Sequence, residues 1–412
     1  MKNTQLNYER LYIVDALRGF ALFGILMLHS LEHFDLYHFP DLGVPFLKSL
    51  DGKVWDTMFF IFAGKSFALF AMMFGLSFYI QMESRRRKNK KFTARFLWRL
   101  VILFVLGVVN GAIYSGDVLK VLAVFGILLI FFDKLNNKIL IVLSALFLLN
   151  IPMLYNLYQY ISHNDYKPWG PNFESNFWGE LWEASAKGSL LQSLRANLIQ
   201  GSMASIMFQF YSSRYVVIPG LFIWGLILGR TSFFKNIESH LGLLRRIILT
   251  SLGLFIIFFG SKLYFSSLNF TDNIKSTIDG LLSTYSNVAF MVFLVSGFCL
   301  LTSTTRARRL IPILSPYGKM SLTNYVSMAV ILIPIYYGYG LGLYEYTGAT
   351  ICFLLALAVF ALQLSFSHRW LKNHHYGPLE WMWRCLTFLS FDIPFKKNLD
   401  REGKEVTVQL GV

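Results

Sequence analysis

The stretch AMMFGLSFYIQMESRRRKNKKFTARFLWRLVILFVLGVV (residues 71–109) decides the fold class. It consists of an apolar run, a short segment rich in arginine and lysine, and a second apolar run. A soluble domain could not cover such runs, and in lipid every backbone N–H and C=O group must be paired within the chain. The runs are therefore predicted to be helices that cross a membrane. The basic segment between them is predicted to lie in the cytoplasm.

Ten apolar runs of about spanning length occur along the 412 residues, of which 55% are hydrophobic. The fourth run is short, and the sixth contains Arg214 and Pro219. This pattern predicts an all-α polytopic membrane protein with about ten transmembrane helices. The runs lie near residues 11–31, 56–82, 96–114, 118–132, 139–157, 206–229, 244–262, 281–302, 320–337 and 347–366.

The basic residues are concentrated in alternate loops. When both termini are placed in the cytoplasm, the cytoplasmic segments contain 26 Lys and Arg residues and the outer segments contain 7. This asymmetry supports the helix count and predicts cytoplasmic N and C termini. It also accounts for the net charge of +15 without nucleic acid, since the chain has no soluble domain that carries a basic patch. Membrane lipids are the expected partners.

The runs divide the chain into four predicted regions. An N-terminal five-helix membrane region at 1–157 carries the candidate active site, and an outer interfacial loop region follows at 158–205. A C-terminal five-helix membrane region occupies 206–390, and a cytoplasmic tail occupies 391–412. The basic stretch at 83–99 is expected to orient the chain and to contact anionic lipid, with a coenzyme phosphate site as the alternative.

The first predicted helix contains VDALRGFALFGILMLHS (residues 14–30), which carries polar groups at both ends. Asp15 and Arg18 are three residues apart and can pair on one helix face. His29 follows Arg18 by eleven residues, about three turns, so both side chains project to the same side at a separation of about 16 Å along the axis. Such groups are costly in a membrane and often functional. His29 is thus a candidate for proton transfer, and a hydrogen-bonded packing histidine is the alternative.

Three further polar residues lie in or beside the predicted spans. Lys65 would reach about the depth of His29 and is expected to face either a substrate cavity or a carboxylate partner. Arg214 would lie in the outer half of the sixth helix. Asp117, in the short turn before the fourth helix, is expected to cap that helix.

Two motifs near the C-terminal end are predicted to lie at the cytoplasmic face. In LSPYGKMSLTNYVSM (residues 314–328), a proline and a glycine break the chain before a helix whose N-terminus, next to Lys319, is a candidate phosphate site. Capping by a nearby serine is the alternative. In HHYGPLEWMWRCLTF (residues 374–388), an amphipathic helix is expected, with Glu380 and Arg384 as an ion pair four residues apart. No zinc spacing, P-loop, dinucleotide turn or serine-elbow motif occurs, so no metal site is predicted.

Several stretches together resemble the YeiB-like proteins, whose C-terminal half is a domain of unknown function. The opening DALRGFALFGILMLH (residues 15–29) is also similar to the first helix of membrane acyltransferases that O-acetylate glycans, in which an arginine followed by a histidine marks the active site. The lysosomal heparan-glucosaminide N-acetyltransferase opens similarly. The stretches that resemble the YeiB-like proteins are LDGK (50–53), MFFIFAGKSFALFAMMFGLSF (58–78), GDVL (116–119), GKMSLTNY (318–325) and GPLEWMWR (377–384).

The resemblance implies acyl transfer across a bilayer, from cytoplasmic acyl-coenzyme A to a hydroxyl or amine on the outer face. Acetyl-coenzyme A is the first candidate donor, and a small molecule, a glycan or a lipid would be the acceptor. His29 would act as general base, and Lys65 or Arg214 would offset charge on the tetrahedral oxyanion. The residues expected to contact the coenzyme are Asp15, Arg18, Lys319, Asn324 and Arg384.

The expected location is the bacterial inner membrane, as a multi-pass protein, and a homo-oligomer is allowed. The competing hypothesis is a transporter or flippase for a small anionic or lipidic solute, in which the same intramembrane charges line the path. A third is an accessory or sensor protein without turnover.

Overall fold

The computed structural model describes residues 2–40, 43–87, 89, 93–163, 166, 176–304 and 307–397. The end of the predicted tail and parts of the predicted basic and outer segments lie outside these ranges. The first eight helices are α1 (Lys2–Leu31), α2 (Pro45–Phe62), α3 (Lys65–Arg86), α4 (Thr93–Ile113), α5 (Leu119–Gly126), α6 (Leu128–Phe132), α7 (Asn137–Leu148) and α8 (Ile151–Ser162). The remaining helices are α9 (Phe177–Lys187), α10 (Leu190–Ala196), α11 (Ser202–Tyr211), α12 (Arg214–Arg230), α13 (Leu241–Ser266), α14 (Asp272–Thr302), α15 (Leu310–Lys319), α16 (Ser321–Tyr336), α17 (Ala349–Asn373) and α18 (Pro378–Phe388).

The helices confirm the predicted fold class of an all-α polytopic membrane protein. Across the described ranges, seven segments are long and apolar enough to cross a membrane, and two bent helix pairs raise this number to nine. The shorter apolar segment Leu119–Phe132 coincides with the short fourth run. Each of the ten predicted runs therefore has a helical counterpart. The cytoplasmic placement of the termini stays a prediction.

Two bends interrupt the spans: one lies within the predicted run 206–229, and the other lies just before the predicted run 320–337, where the sequence indicated a break. Helices α11 and α12 meet at 73°, and helices α15 and α16 meet at 75°. At the first bend Ser213 adopts a left-handed backbone conformation with φ of 50°. At the second bend α15 ends at Lys319, so the N-terminus of α16 opens inside the protein and not at a surface loop.

Helix α1 lies at the centre of the bundle, against α15, α3 and α17. Its apolar window is 67% buried, compared with 17% for the segment that contains α13. Glycines bring the central helices together: a Cβ atom at Gly318 of α15 would overlap Asp15 O of α1, and one at Gly225 of α12 would overlap Met72 O of α3. Such close crossings are typical of membrane helices. The polar side chains of α1 therefore face protein and not lipid.

Candidate active site

A cavity of about 310 Å³ lies beside the N-terminal half of the α1 span, and we call it the basic cavity. Arg18 Nη1 donates to Asp15 Oδ1 at 2.6 Å, which confirms the predicted pair. Arg18 Nη2 donates to Ser77 Oγ of α3 at 2.9 Å, and this bond orients the guanidinium. Four of the five residues predicted to contact a coenzyme line this cavity. Its charged lining residues are Asp15, Arg18, Arg99, Lys319, Glu380 and Arg384.

Glu380 of α18 occupies the N-terminus of α16, the position predicted as a phosphate site. Its Oε1 accepts from the backbone N–H groups of Leu322 and Thr323 at 2.7 and 3.0 Å, and its Oε2 accepts from Thr323 Oγ1 at 2.6 Å. This carboxylate thus caps the helix in place of the nearby serines. Burial raises the pKa of Glu380. Arg384 instead lies over the Tyr376 ring, 4.3 Å from its centroid. The prediction of a Glu380–Arg384 ion pair was therefore wrong.

A second cavity, of about 130 Å³, lies at the C-terminal end of α1, and we call it the acidic cavity. His29 Nδ1 lies 2.9 Å from the hydroxyl of Tyr114 and 3.5 Å from Glu32 Oε2. The Tyr114 hydroxyl donates to Asp35 Oδ1 at 3.3 Å, and Ser115 Oγ donates to Asp35 Oδ2 at 3.0 Å. His29 therefore belongs to a connected polar group that reaches from α1 to the turn after α4.

Burial changes the pKa of two carboxyl groups that line the acidic cavity. Burial, reinforced by the neighbouring Glu32 carboxylate, raises the pKa of Asp35 to about 6. Burial also raises the pKa of Asp117 to about 6. Both groups therefore change charge between acidic and neutral pH.

Arg214 lines the acidic cavity, so the structure brings this predicted residue to His29. Its guanidinium lies between the rings of Phe67 and Phe208, at 4.3 and 4.6 Å from their centroids. Glu32 interacts with it electrostatically. The cation is thus held by aromatic faces and balanced by a carboxylate of the same cavity.

Asp117 caps the first turn of α5, which confirms the structural interpretation of this residue. Its Oδ1 accepts from the backbone N–H of Lys120 at 3.2 Å, and its Oδ2 accepts from Asn110 Nδ2 at 2.7 Å. These bonds fix the turn that carries Val118 between α4 and α5.

The two cavities meet at this turn. Val118 lines the acidic cavity and Tyr325 of α16 lines the basic cavity. The backbone N–H of Val118 donates to the Tyr325 hydroxyl at 3.0 Å. One hydrogen bond thus joins the walls of two cavities of opposite charge.

The structure does not bring Lys65 or Asn324 to these cavities. Lys65 Nζ lies 5.7 Å from the centroids of both Phe60 and Phe290, and among the described residues no carboxylate lies within 4 Å of it. Asn324 is buried between helices, where its Nδ2 donates to Tyr317 O and to Ser367 Oγ, both at 3.0 Å. The side chain of Asn324 therefore joins neighbouring helices and does not line either cavity.

Sequence reasoning missed three members of the acidic cavity: Glu32, Asp35 and Tyr114. The first two follow the first apolar run directly, in the stretch HSLEHFD (residues 29–35). A signal was present, because two acidic residues within seven positions of a histidine are unusual at a membrane boundary.

Two family models match separate parts of the chain. Residues 10–181 match the model described as heparan-alpha-glucosaminide N-acetyltransferase, catalytic. Residues 228–390 match the model described as protein of unknown function (DUF418). The uncharacterized protein YxaH of Bacillus subtilis is 28% identical over 95% of this chain and 98% of its own length. The uncharacterized protein YeiB of Escherichia coli is 24% identical over 92% of this chain and 96% of its own length.

These matches over nearly the whole chain support a relation to the YeiB-like proteins. The apolar helices and the match of residues 10–181 to an acetyltransferase model support a multi-pass membrane protein of acyltransferase-like character. No solved structure matches it. In this chain, His29, Glu32, Asp35 and Tyr114 all come from the region that resembles the acetyltransferase. The basic cavity combines that region with Lys319 and other residues of the C-terminal region.

Proposed function

We propose that this protein transfers an acyl group from acyl-coenzyme A in the basic cavity to a hydroxyl or amine in the acidic cavity. The donor would bind from the cytoplasm, and the acceptor would enter from the outer face. Acetyl-coenzyme A is the first candidate donor. The acyltransferase-like family relationship supports acyl transfer as the reaction class.

The observation that carries the proposal is the meeting of two oppositely charged cavities at Val118 and Tyr325. The basic cavity suits the phosphates of a coenzyme, because Arg and Lys side chains bind phosphate well. The acidic cavity repels such a donor and suits an uncharged hydroxyl or amine. Only the acyl group would need to pass between them.

The hydrogen bonds of His29 support its role as general base. We assign the single hydroxyl hydrogen of Tyr114 to its bond with Asp35, and in this assignment His29 Nδ1–H donates to the Tyr114 oxygen. Nε2 then carries the free lone pair. Asp35 and Tyr114 hold this tautomer as the orienting groups of a base do in other acyl-transfer enzymes.

The proposed reaction needs only His29, the acceptor and the thioester. His29 Nε2 takes the proton from the acceptor while the acceptor oxygen or nitrogen attacks the thioester carbon. The carbonyl π electrons move to oxygen, and they return as the C–S bond breaks. The leaving thiolate then takes the proton from His29 and departs as coenzyme A thiol.

Proteoliposomes of known orientation test the proposal. Radiolabelled acetyl-coenzyme A is added to the cytoplasmic side, and we expect free thiol on that side and labelled acceptor on the other. Transfer should require His29 and should not respond to a solute gradient. The proposal is wrong if no acyl-coenzyme A of any chain length binds while a solute gradient drives counterflow that requires Lys65, a result that would favour a transporter.

A further inference from the structure

Tyr325 has a hydroxyl hydrogen without a protein acceptor. This side chain is 1% exposed, and its oxygen accepts from Val118 N–H at 3.0 Å. Since the backbone nitrogen is the donor in that bond, the phenol hydrogen is left over. Among the described residues no acceptor takes it. A buried donor without a partner is costly, so this hydrogen points to a ligand group.

The hydroxyl lies where the two cavities meet. Tyr325 lines the basic cavity and packs in one buried cluster with Leu103, Leu119 and Leu322, which also line it. Tyr325 also interacts electrostatically with Asp117, with Asp35 and with Tyr114, the partner of His29. The phenol is therefore close to both the donor cavity and the residues around the general base.

The position of the hydroxyl is fixed before any ligand binds. The turn that carries Val118 is held by the two hydrogen bonds of Asp117, to Lys120 N–H and to Asn110. The Val118 N–H also polarises the phenol oxygen, which makes its O–H a stronger donor. A donor that is held in place before the charge develops is the arrangement that stabilises an oxyanion most effectively.

We infer that Tyr325 donates its hydroxyl hydrogen to the thioester carbonyl oxygen during acyl transfer. This inference rests on the proposed function and adds a catalytic residue to it. As the acceptor attacks the carbonyl carbon, negative charge develops on that oxygen, and the hydrogen bond from Tyr325 strengthens. When the C–S bond breaks, the charge leaves with the thiolate and the bond relaxes. Tyr325 keeps its proton throughout.

This assignment replaces the sequence prediction for the oxyanion. Lys65 lines neither cavity, and its ammonium group lies between two phenylalanine rings. Arg214 lies in the acidic cavity beside Glu32, on the acceptor side. Tyr325 lines the donor side at the junction, where the thioester would lie.

Tyr325→Phe removes the hydroxyl and keeps the ring. We expect kcat for acetyl transfer to fall about 100-fold, as for loss of one oxyanion donor. The KM for acetyl-coenzyme A and the affinity for its unreactive thioether analogue should stay within about twofold, because ground-state binding is unchanged. The matched control is Tyr336→Phe on the same helix, which removes a buried hydroxyl bonded to Ser30 Oγ at 2.6 Å. The control should keep its kcat within about threefold.

A second variant tests the assignment even if the Tyr325→Phe protein does not fold. 3,5-Difluorotyrosine incorporated at position 325 keeps the size and the bond to Val118 but is a stronger donor. We expect kcat to rise about two- to threefold with KM unchanged, at a pH where the phenol stays protonated. An unchanged kcat in this variant, or a loss below threefold in a folded Tyr325→Phe, would overturn the assignment to Tyr325 while leaving acyl transfer intact. A wild-type protein without turnover on any acyl-coenzyme A would overturn both.

Discussion

The two ends of helix α1 differ in charge and in how they are assembled. The basic cavity joins Arg18 to residues from the far C-terminal region, such as Lys319 and Arg384. The acidic cavity combines the end of α1 and the segment that follows it with the turn after α4 and with residues between 178 and 214, among them Arg214. One helix thus contributes to a basic cavity at one end and to an acidic cavity at the other. The walls of the two cavities are joined by the hydrogen bond between Val118 and Tyr325. The difference suggests that the two cavities take different ligands, and variants at each end should separate binding from chemistry.

The largest effect is expected at the acidic end. His29→Gln keeps a hydrogen-bonding side chain but removes the base, so we expect acyl transfer to fall about 1000-fold while donor binding and thermal stability change little. His38→Gln is the control, because His38 packs against Tyr344 and does not line the acidic cavity. Loss of folding in His29→Gln would instead favour the packing interpretation of His29.

At the basic end, Arg18→Ala should weaken both binding and folding. We expect acetyl-coenzyme A affinity to fall about tenfold, and stability to fall by roughly 1–3 kcal/mol, because Asp15 loses its partner. The pair is about one-fifth exposed, which reduces this cost relative to a fully buried pair. Isothermal titration calorimetry of acetyl-coenzyme A binding and thermal unfolding, both in detergent, measure the two effects.

A double variant checks that interpretation. Asp15→Ala in the Arg18→Ala background removes the unpaired carboxylate, so part of the lost stability should return while donor affinity stays low. A double variant that recovers no stability would argue against the pair as the cause.

The pH dependence should report on Asp35. Its pKa of about 6 means that it is mostly protonated at pH 5, when it no longer accepts from Tyr114 as a carboxylate. We expect the transfer rate at pH 5 to be about one-tenth of that at pH 7. Glu32→Gln should move this change to lower pH, because the Glu32 carboxylate raises the pKa of Asp35. An identical profile in Asp35→Asn would exclude Asp35 as its source.

The stability of the protein should change with pH in the opposite direction. The pKa of Asp35 is raised from 3.8 to about 6 on folding, so the folded state holds this proton more tightly. Its contribution to stability is complete below pH 4 and is lost as pH rises through 6. Relative to Asp35→Asn, the wild-type protein should therefore lose up to about 3 kcal/mol between pH 4 and pH 7. Thermal unfolding of the two proteins across this range measures the difference.

Local patterns predicted the fold and one half of the site. Hydropathy locates spans because lipid acts on each segment separately, and the Asp15–Arg18 pair followed from their spacing on one helix. The direction in which Lys65 faces depends on how helices pack against one another, and hydropathy carries no such information. The predicted depth of Lys65 therefore did not reveal its position between Phe60 and Phe290.

Bends and contacts between distant segments were the hardest features to predict. The sequence indicated a break before α16 but not the 75° turn that opens its N-terminus inside the protein. Spacing alone predicted an ion pair between Glu380 and Arg384. In the structure the Glu380 carboxylate instead accepts three hydrogen bonds from α16. Such a contact, 57 residues away along the chain, leaves no periodic signal.

The smallest effect, and the most informative about the basic cavity, is expected for Glu380→Gln. The carboxylate caps α16, so its neutralisation should lower stability by about 1 kcal/mol. It also places a negative charge among the cations that would hold the donor, so its removal should tighten acetyl-coenzyme A binding by about threefold.

The opposite signs of these two changes distinguish the donor site from a purely structural cluster. Glu238→Gln is the matched control, because Glu238 pairs with Arg308 at 3.2 Å and does not line the basic cavity. It should leave donor affinity unchanged. Weaker donor binding in Glu380→Gln would mean that Glu380 supports the site by holding α16 in place, and the charge contrast between the two cavities would then not govern donor binding.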